Sequence, residues 1–363
     1  MENRYPCLEL NTTKLRENIE IVKKQCDDQG VEICAVVKGI NGLIPACREY
    51  EKAGVSFIAS SRLEHLRTIK EAGIQTPTAC IRIPMLSEVE DLVQWCDCSL
   101  ESELVVLQQI EHAAEKCNKV HQVILMFDLG DLREGIWSLE EMIETAKYVE
   151  AAQYLELLGT GVNLGCYGSI VTTVDKMNEL IEKTEKVEAA IGHRLRYICG
   201  GSTQAMAHIW KKEMPERINL LRIGELILHA RGMADYYGSW DLSYLHQDVF
   251  TLKAEVVEVK TKPSHPVGIL GRDAFGQTQT YVDRGMHRRA ILAVGKADYG
   301  SCDNLYIRRE DIKVLGASSD HTLLDVEDAR QEVHVGDIIE FGIRYSSGLY
   351  LTSSTNVHMT VSE

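Results

Sequence analysis

One lysine stands where an amine can act as a nucleophile. Lys38 closes the short apolar run Ile33–Lys38, whose β-branched content favours a buried strand. A lysine amine there can form a covalent bond with a carbonyl group when its surroundings lower its pKa. Taken alone, Lys38 can equally be a solvated charge at a strand end, so its chemistry depends on its companions.

Two glycine-containing segments offer a site for a phosphate group. Gly-Gly-Ser-Thr, Gly200–Thr203, follows one strand-like run, and Arg-Ile-Gly, Arg222–Gly224, ends another. Glycines let the backbone approach an anion, hydroxyl groups donate hydrogen bonds, and the helices that follow present free N–H groups. Each segment in isolation is also typical of an ordinary turn. A lysine that faces such a cradle, however, suggests pyridoxal phosphate held covalently through Lys38.

The strands that must position these residues are visible as a repeated pattern. Eight short apolar runs alternate with amphipathic stretches over the first 230 residues or so. They are Ile33–Lys38, Phe57–Ser60, Thr78–Ile83, Cys96–Leu100, Val123–Asp128, Leu157–Asn163, Arg196–Cys199 and Asn219–Ile223. Eight β-then-α units in a row predict an α/β fold, a closed (β/α)8 TIM barrel, with an open doubly wound sheet as the alternative.

Polar side chains occupy the strand ends, where such a barrel builds its active site. Beside Lys38 they are Asp128, Arg133, Asn163, Ser202, Thr203 and Arg222. The helices between the strands have serine cap signals, at Ser61, Ser87 and Ser138.

The pattern changes after about Gly238. Strand-like runs with Gly and Pro turns replace the helical periodicity, so we expect a β-rich second domain. The predicted domains are a barrel over residues 8–238 and a β-rich domain over residues 239–363, on which an amino-terminal strand within residues 1–10 also packs.

Composition excludes several functions. A formal net charge of -15 gives the protein no electrostatic reason to bind a nucleic acid or an anionic membrane surface. The amino terminus lacks the apolar run of a secretory signal, and the 11 cysteines show no metal-ligand spacing. We therefore expect a cytoplasmic protein without a metal site.

Several segments together make the chain resemble the alanine-racemase-like enzymes, the fold-type III pyridoxal-phosphate enzymes, over its whole length. In the barrel these segments are Val37–Lys38, Ile81–Leu86, Asp128–Gly135, Gly161–Asn163 and Leu221–Glu225. In the second domain they are Asp273–Gly276, Arg289–Gly295 and Gly316–His321. As a set in this order they are specific, whereas any one of them is not.

The resemblance implies a role for each site residue. Lys38 would carry the cofactor and act as one of two bases. Arg133 would approach the cofactor's phenolic oxygen and the substrate carboxylate, Asn163 would stand beside the ring, and Arg222 would face the pyridine nitrogen. The phosphate would be held by Ser202 and by the amides around Gly201, Gly224 and Glu225, with Thr203 in the same cradle.

Two departures from the family pattern concern chemistry. Relatives that racemise alanine carry a Val-Gly-Tyr-Ala-Asp pattern whose tyrosine is the second base, but here Lys296 replaces that tyrosine. Lys296 is our candidate for the second base, with Asp320, His321 and Tyr299 as alternatives. The segment Lys38–Leu43 also lacks the phosphate-binding tyrosine of those relatives, for which Tyr345 is a candidate substitute.

The resemblance predicts a homodimer with shared active sites that interconverts the L- and D-forms of an amino acid, with ornithine or another basic amino acid as substrate. Asp131, Glu134, Asp273 and Asp320 are candidates to pair with a distal amine. An amino-acid decarboxylase of the same fold and a non-catalytic pyridoxal-phosphate carrier are the alternatives. Arg222 argues against the decarboxylase, and the second domain argues against the carrier. A metal-dependent barrel aldolase or dehydratase lacks a convincing ligand set at Asp320 and His321.

Overall fold

The computed structural model describes residues 4–236, 238, 240–276, 278 and 280–363. A strand, β1 (Cys7–Asn11), leads into helix α1 (Thr12–Asp27). Eight parallel strands then close into a barrel: β2 (Glu32–Val36), β3 (Phe57–Ser60), β4 (Thr78–Cys80), β5 (Cys98–Glu101), β6 (His121–Phe127), β7 (Leu155–Val162), β8 (Tyr197–Ser202) and β9 (Leu220–Ile223). The predicted TIM barrel is confirmed, and the open sheet is wrong.

Helices follow the strands in the order that the sequence predicts. They are α2 (Ile44–Ala53), α3 (Leu63–Glu71), α4 (Val89–Trp95), α5 (Leu104–Cys117), α6 (Leu139–Ala151), α7 (Val174–Ile191), α8 (Met206–Lys211), α9 (Glu225–Leu228) and α10 (Ala230–Tyr236). Ser138 caps α6 as predicted, because its hydroxyl accepts a hydrogen bond from the Glu141 amide. The other two cap predictions are wrong, since Arg62 precedes α3 and Ser87 lies in the 3-10 turn Leu86–Glu88.

The barrel interior is filled by alternate residues of all eight strands. The inward set is small or apolar and includes three cysteines; it comprises Cys34, Val36, Phe57, Ala59, Ala79, Cys98, Leu100, Ile124, Met126, Leu158, Tyr197, Cys199 and Leu220. Because parallel strands run in one direction, their carboxyl ends meet at one end of the barrel. That end carries the predicted site residues of the barrel.

The second unit is mainly an antiparallel sheet. It contains β10 (Phe250–Pro263), β11 (Met286–Leu292), α11 (Lys296–Tyr299), β12 (Leu305–Ile307), β13 (Lys313–Ala317), β14 (Thr322–Asp325), β15 (Ile338–Ile343), α12 (Tyr345–Leu351) and β16 (His358–Ser362). The strand order is β12-β15-β10-β11-β14-β13, and β1 pairs with both β10 and β16. The sequence predicts no helix here, yet α12 forms where Ser346, Ser347 and Gly348 are weak helix formers. Ser347 is buried and donates to the Tyr299 carbonyl, so tertiary contacts outweigh propensity.

Contacts divide the chain into two compact units. One is Leu15–Ile227, which contains the barrel; the other comprises the residues up to Lys14 together with Leu228–Glu363. Ser239, where the sequence places the start of the second domain, lies outside the described residues, as do residues 1–3. Among the described helices, none combines the length and the apolar character that a bilayer span requires.

Candidate functional site

Lys38 lies just beyond the carboxyl end of β2 and begins the 3-10 turn Lys38–Ile40. Its side chain is half-buried, and no hydrogen bond or ion pair to another described residue holds its amine. Burial lowers the pKa of this amine, and the neighbouring Arg133 cation lowers it further. The Lys38 amine therefore loses its proton more readily than that of a surface lysine, which a nucleophile or a base requires.

Arg222 is buried in β9, and its guanidinium is fixed by three contacts. Nη1 donates to Sγ of Cys199 at 3.0 Å, and Nη2 donates to the Val162 carbonyl and to Oδ1 of Asn163, each at 3.1 Å. A guanidinium has five N–H donors, so these contacts orient it and leave donors for a ligand. Nδ2 of Asn163 is buried and meets no hydrogen-bond partner within the described parts of the chain.

A cradle of glycines and hydroxyl groups lies at the ends of β8 and β9. Gly201 has a φ of +105°, a conformation that residues with side chains rarely adopt. A Cβ on Gly224 would lie 2.7 Å from the Val36 carbonyl oxygen. A residue with a side chain at this position would therefore push the ends of β2 and β9 apart. Ser202 ends β8, and the next residue, Thr203, accepts a hydrogen bond from the Gly224 amide at 3.4 Å.

Arg133 lies in the loop after β6 and is more exposed than Arg222. It forms a bidentate ion pair with Glu134, and Nη1 donates to Sγ of Cys166 at 3.0 Å. The charge of this guanidinium lowers the pKa of Lys38, so the guanidinium lies near Lys38 at the same end of the barrel. The structure therefore brings together the two predicted cationic partners of the site, Arg133 and Arg222, around the predicted cofactor lysine.

Two aspartates organise the loops at this end. Asp128 accepts hydrogen bonds from two backbone amides of its own loop, at 2.8 and 3.1 Å. Asp131 is buried and accepts from the amides of Cys166 and Tyr167, at 3.3 and 3.1 Å, so it ties the β6 loop to the β7 loop. Both carboxylates already accept hydrogen bonds from backbone amides, which suits a structural role.

Glu225 presents a carboxyl group that the sequence analysis considered only for its backbone amide. Burial raises the pKa of this carboxyl to about 7, while the Lys38 cation acts in the opposite direction. Glu225 follows Gly224 and is close enough to Lys38 for the lysine charge to affect its pKa. A sequence signal was available, since an acidic residue directly after a barrel strand end is an unusual choice for a partly buried position.

In the second unit, Lys296 begins the short helix α11, and a turn fixes its backbone. The Lys296 amide donates to the Ser318 carbonyl at 2.9 Å, and the next amide donates to the Ser319 carbonyl at 2.9 Å. The two backbone segments lie so close together that a Cβ on Gly295 would be 2.1 Å from the Ser319 carbonyl oxygen, so this position requires glycine. The Lys296 side chain is half-buried.

The alternative second bases differ in accessibility. Asp320 and His321 belong to the same turn that fixes Lys296, and both are exposed. Tyr299 is fully buried, its hydroxyl hydrogen-bonds to that of Thr322 at 2.6 Å, and burial raises its pKa to about 12. Tyr299 is thus poorly placed to exchange protons with a substrate. Within the described residues, no group of three or more His, Cys, Asp or Glu side chains is arranged to hold a metal ion.

Two further predicted residues lie in this second unit. Asp273 accepts from the Phe275 amide at 2.9 Å, and the Phe275 ring lies 4.1 Å from Nζ of Lys296. That aromatic contact was not anticipated from the sequence. Tyr345 begins α12, and its ring lies edge-on to the buried imidazole of His229, with 6.2 Å between the ring centroids.

Comparisons with known proteins identify a family and two relatives aligned over most of the chain. Residues 10–231 match the family described as alanine racemase, N-terminal domain. The chain is 38% identical to an ornithine racemase of Acetoanaerobium sticklandii, covering 94% of this chain and 96% of the relative. It is 36% identical to a lysine racemase of Thermotoga maritima, covering 94% of each.

Solved structures extend the similarity to the whole fold. An alanine racemase from Streptomyces lavendulae superposes with a TM-score of 0.76 at 15% identity, covering 98% of this chain and 97% of that one. An alanine racemase from E. faecalis superposes with a TM-score of 0.71 at 18% identity, covering 98% of each. At this identity the likeness concerns the fold.

Proposed function

The chain belongs to the alanine-racemase family, and we propose that it is a pyridoxal-phosphate-dependent racemase of basic amino acids, with ornithine as the leading substrate. The two relatives that are aligned over nearly their whole length are named ornithine racemase and lysine racemase. Those names favour racemisation over the decarboxylase and carrier alternatives. The single observation that carries the proposal is the unengaged Lys38 amine, with its lowered pKa, beside the buried Arg222.

The residues at the barrel end fit pyridoxal phosphate. Nδ2 of Asn163 is a buried donor that meets no acceptor among the described residues, which a bound oxygen would supply. A Cβ on Gly201 would lie in nearly open space, 3.7 Å from the Val162 carbonyl oxygen, so the backbone there is accessible to a phosphate group, whereas Gly224 serves the close packing of the strand ends. The cationic side chains of Lys38, Arg133 and Arg222 lie near one another at the barrel end, which suits a ligand with a dianionic phosphate.

Lys38 would hold the cofactor covalently, and Arg222 and Asn163 would hold its ring. Gly201, Ser202, Thr203, Gly224 and the Glu225 amide would hold its phosphate; Tyr345 is the remaining candidate, in the second unit. When bound, pyridoxal phosphate withdraws electrons from the α-carbon of an attached amino acid and so acidifies the α-proton.

The chain's own residues then have separate tasks. The Lys38 amine takes and returns the α-proton on one face of the substrate, for which its lowered pKa is suited. Arg133, at the rim, orients the substrate carboxylate. Arg222 carries a permanent positive charge and can only donate a hydrogen bond, so it would keep the ring nitrogen unprotonated, limit electron withdrawal and favour simple proton return.

Racemisation requires a second proton carrier on the opposite face, and we assign it to Lys296 of a second copy of the chain. Asp320 remains the alternative in the same turn. The proposal therefore includes a homodimer with shared active sites that is located in the cytoplasm. It includes no nucleic-acid or membrane partner, which the net charge of -15 supports.

The direct test is chiral chromatography of a panel of L-amino acids after incubation with the purified protein and pyridoxal phosphate. We expect D-enantiomers to form from ornithine and lysine with the wild type, and none with Lys38→Ala. Borohydride reduction of the loaded wild type should attach a pyridoxyl group to Lys38. Attachment at another lysine, or no racemisation of any amino acid, contradicts the proposal.

A further inference from the structure

The acidic side chains at the barrel end differ in whether they are already engaged. Asp128 and Asp131 accept hydrogen bonds from backbone amides of the loops that they organise. Glu134 is paired with Arg133. A further ligand for any of these three would have to displace an existing partner. Two of the four candidates for pairing with a distal amine, Asp131 and Glu134, are therefore already engaged.

Glu225 is different, because no hydrogen bond or ion pair to another described residue holds its carboxyl group. Its position follows from strand register. Ala35 of β2 is paired with Ile223 of β9, so Lys38 and Glu225 lie just beyond the ends of neighbouring strands. The effect of the Lys38 charge, which lowers the pKa of Glu225, agrees with that placement.

The position of Lys38 fixes where a substrate must lie. A base that takes the α-proton has to reach the α-carbon directly, so the α-carbon lies at Nζ of Lys38. Ornithine and lysine carry a second amine three or four carbons further along. A carboxyl group beside Lys38 is within reach of such a side chain.

Resting on the proposed function, we propose that the Glu225 carboxylate binds the distal ammonium group of a diamino-acid substrate and thereby selects it over neutral amino acids. A partly buried carboxylate without an ion-pair partner among the described residues is costly, and a substrate ammonium group would supply that partner. A neutral side chain of the same length would leave the carboxyl group unpaired.

The selection depends on pH in a defined direction. Burial raises the pKa of Glu225 to about 7, so part of the population is protonated near neutrality. The charged groups that face this pair are Lys38 itself and, around Lys38, Arg133, Arg222 and Glu134, with the Cys166 thiol. A second cation lowers the pKa of Glu225 further, so a diamino acid binds better as pH rises through 7.

The test uses the loaded enzyme, the variant Glu225→Gln, and two substrates with the same carbon chain, L-ornithine and L-norvaline, which lacks the distal amine. Dissociation constants come from the change in cofactor absorbance, and kcat/KM comes from chiral chromatography. We expect Glu225→Gln to reduce the ornithine-to-norvaline ratio of kcat/KM about 10- to 100-fold, as expected for losing a charged hydrogen-bond partner. The pH dependence of ornithine binding near 7 should disappear with it. Glu216→Gln, an exposed glutamate between β8 and β9, is the matched control and should keep the wild-type ratio.

Each alternative role gives a different result. An equal loss for both substrates would assign Glu225 to Lys38 rather than to the substrate side chain, and loss of cofactor affinity in Glu225→Gln would assign it to the phosphate; both overturn the inference. Unchanged ornithine binding in Glu225→Gln overturns it as well. If the wild type binds ornithine selectively through Glu225 but racemises no amino acid, the proposed function fails and this inference stands.

Discussion

Asn163 directs its amide oxygen at Arg222, 3.1 Å from Nη2, and its own amide nitrogen is buried without a partner in the part of the chain that the structure describes. One side chain therefore orients the permanent cation of the site and offers a free donor beside it. A buried donor without an acceptor costs about 1 to 3 kcal/mol, and a ligand that supplies the acceptor recovers that free energy.

Asn163→Ala should weaken pyridoxal phosphate binding about 10-fold, because it removes both the free donor and one anchor of Arg222. The measurement is an absorbance titration of the apoprotein with pyridoxal phosphate. Asn178→Ala, at an exposed position on α7, is the matched control. Equal affinities for the two variants would remove Asn163 from the cofactor site.

Lys296→Ala should abolish racemisation while the cofactor absorbance persists, because Lys38 still holds the cofactor. Exchange of the α-proton with solvent should be lost for one enantiomer more than for the other, since Lys38 still serves its own face. NMR in heavy water measures this exchange for each enantiomer separately. Lys313→Ala, an exposed lysine of the same unit, should behave as the wild type. Full activity in Lys296→Ala would transfer the role to Asp320 or His321.

Mixing subunits tests whether sites are shared. Lys38→Ala and Lys296→Ala are each expected to be inactive, but a hybrid dimer of the two would contain one site with both lysines. Unfolding and refolding an equal mixture should restore about a quarter of the wild-type activity if the subunits assort at random. A mixture that stays inactive, although hybrid dimers are detected by mass spectrometry, would place both lysines of each site in one chain.

Glu101 should make stability depend on pH. It ends β5, and both its carboxyl oxygens are buried and accept no hydrogen bond of good geometry from any described residue, although Ser99 lies on the same face. Burial raises its pKa from 4.5 to about 8. The unfolded chain releases this proton above pH 4.5, whereas the folded protein retains it up to about pH 8, so Glu101 destabilises the fold increasingly across that window.

Glu101→Gln should therefore be as stable as the wild type near pH 4 and more stable near pH 8. The gap should grow by up to about 1.4 kcal/mol per pH unit between those values. Chemical denaturation at a series of pH values measures it. Glu144→Gln, exposed on α6, should show no such growth. A gap that is constant with pH would mean that Glu101 is ionised in the folded protein.

The sequence was sufficient to predict the barrel and the positions of Lys38, Asn163 and Arg222, because strand periodicity places each of them at a strand end. The place of Glu225 could not be predicted in the same way. It lies beside Gly224, whose close packing against Val36 joins residues far apart in the chain. The helix α12 was missed for a similar reason, since the buried hydrogen bond from Ser347 to Tyr299 stabilises a segment that has weak helix propensity.

The turn of residues 318–321 binds Lys296 through its backbone amide. The amides of residues 296 and 297 bind the Ser318 and Ser319 carbonyls, and Gly295 permits the close approach, so no side-chain atom of residue 296 takes part in the anchoring. The side chain at position 296 can therefore vary while these two backbone hydrogen bonds persist. A substitution there would change the chemistry of the side chain and its contact with the Phe275 ring, which lies 4.1 Å from Nζ of Lys296.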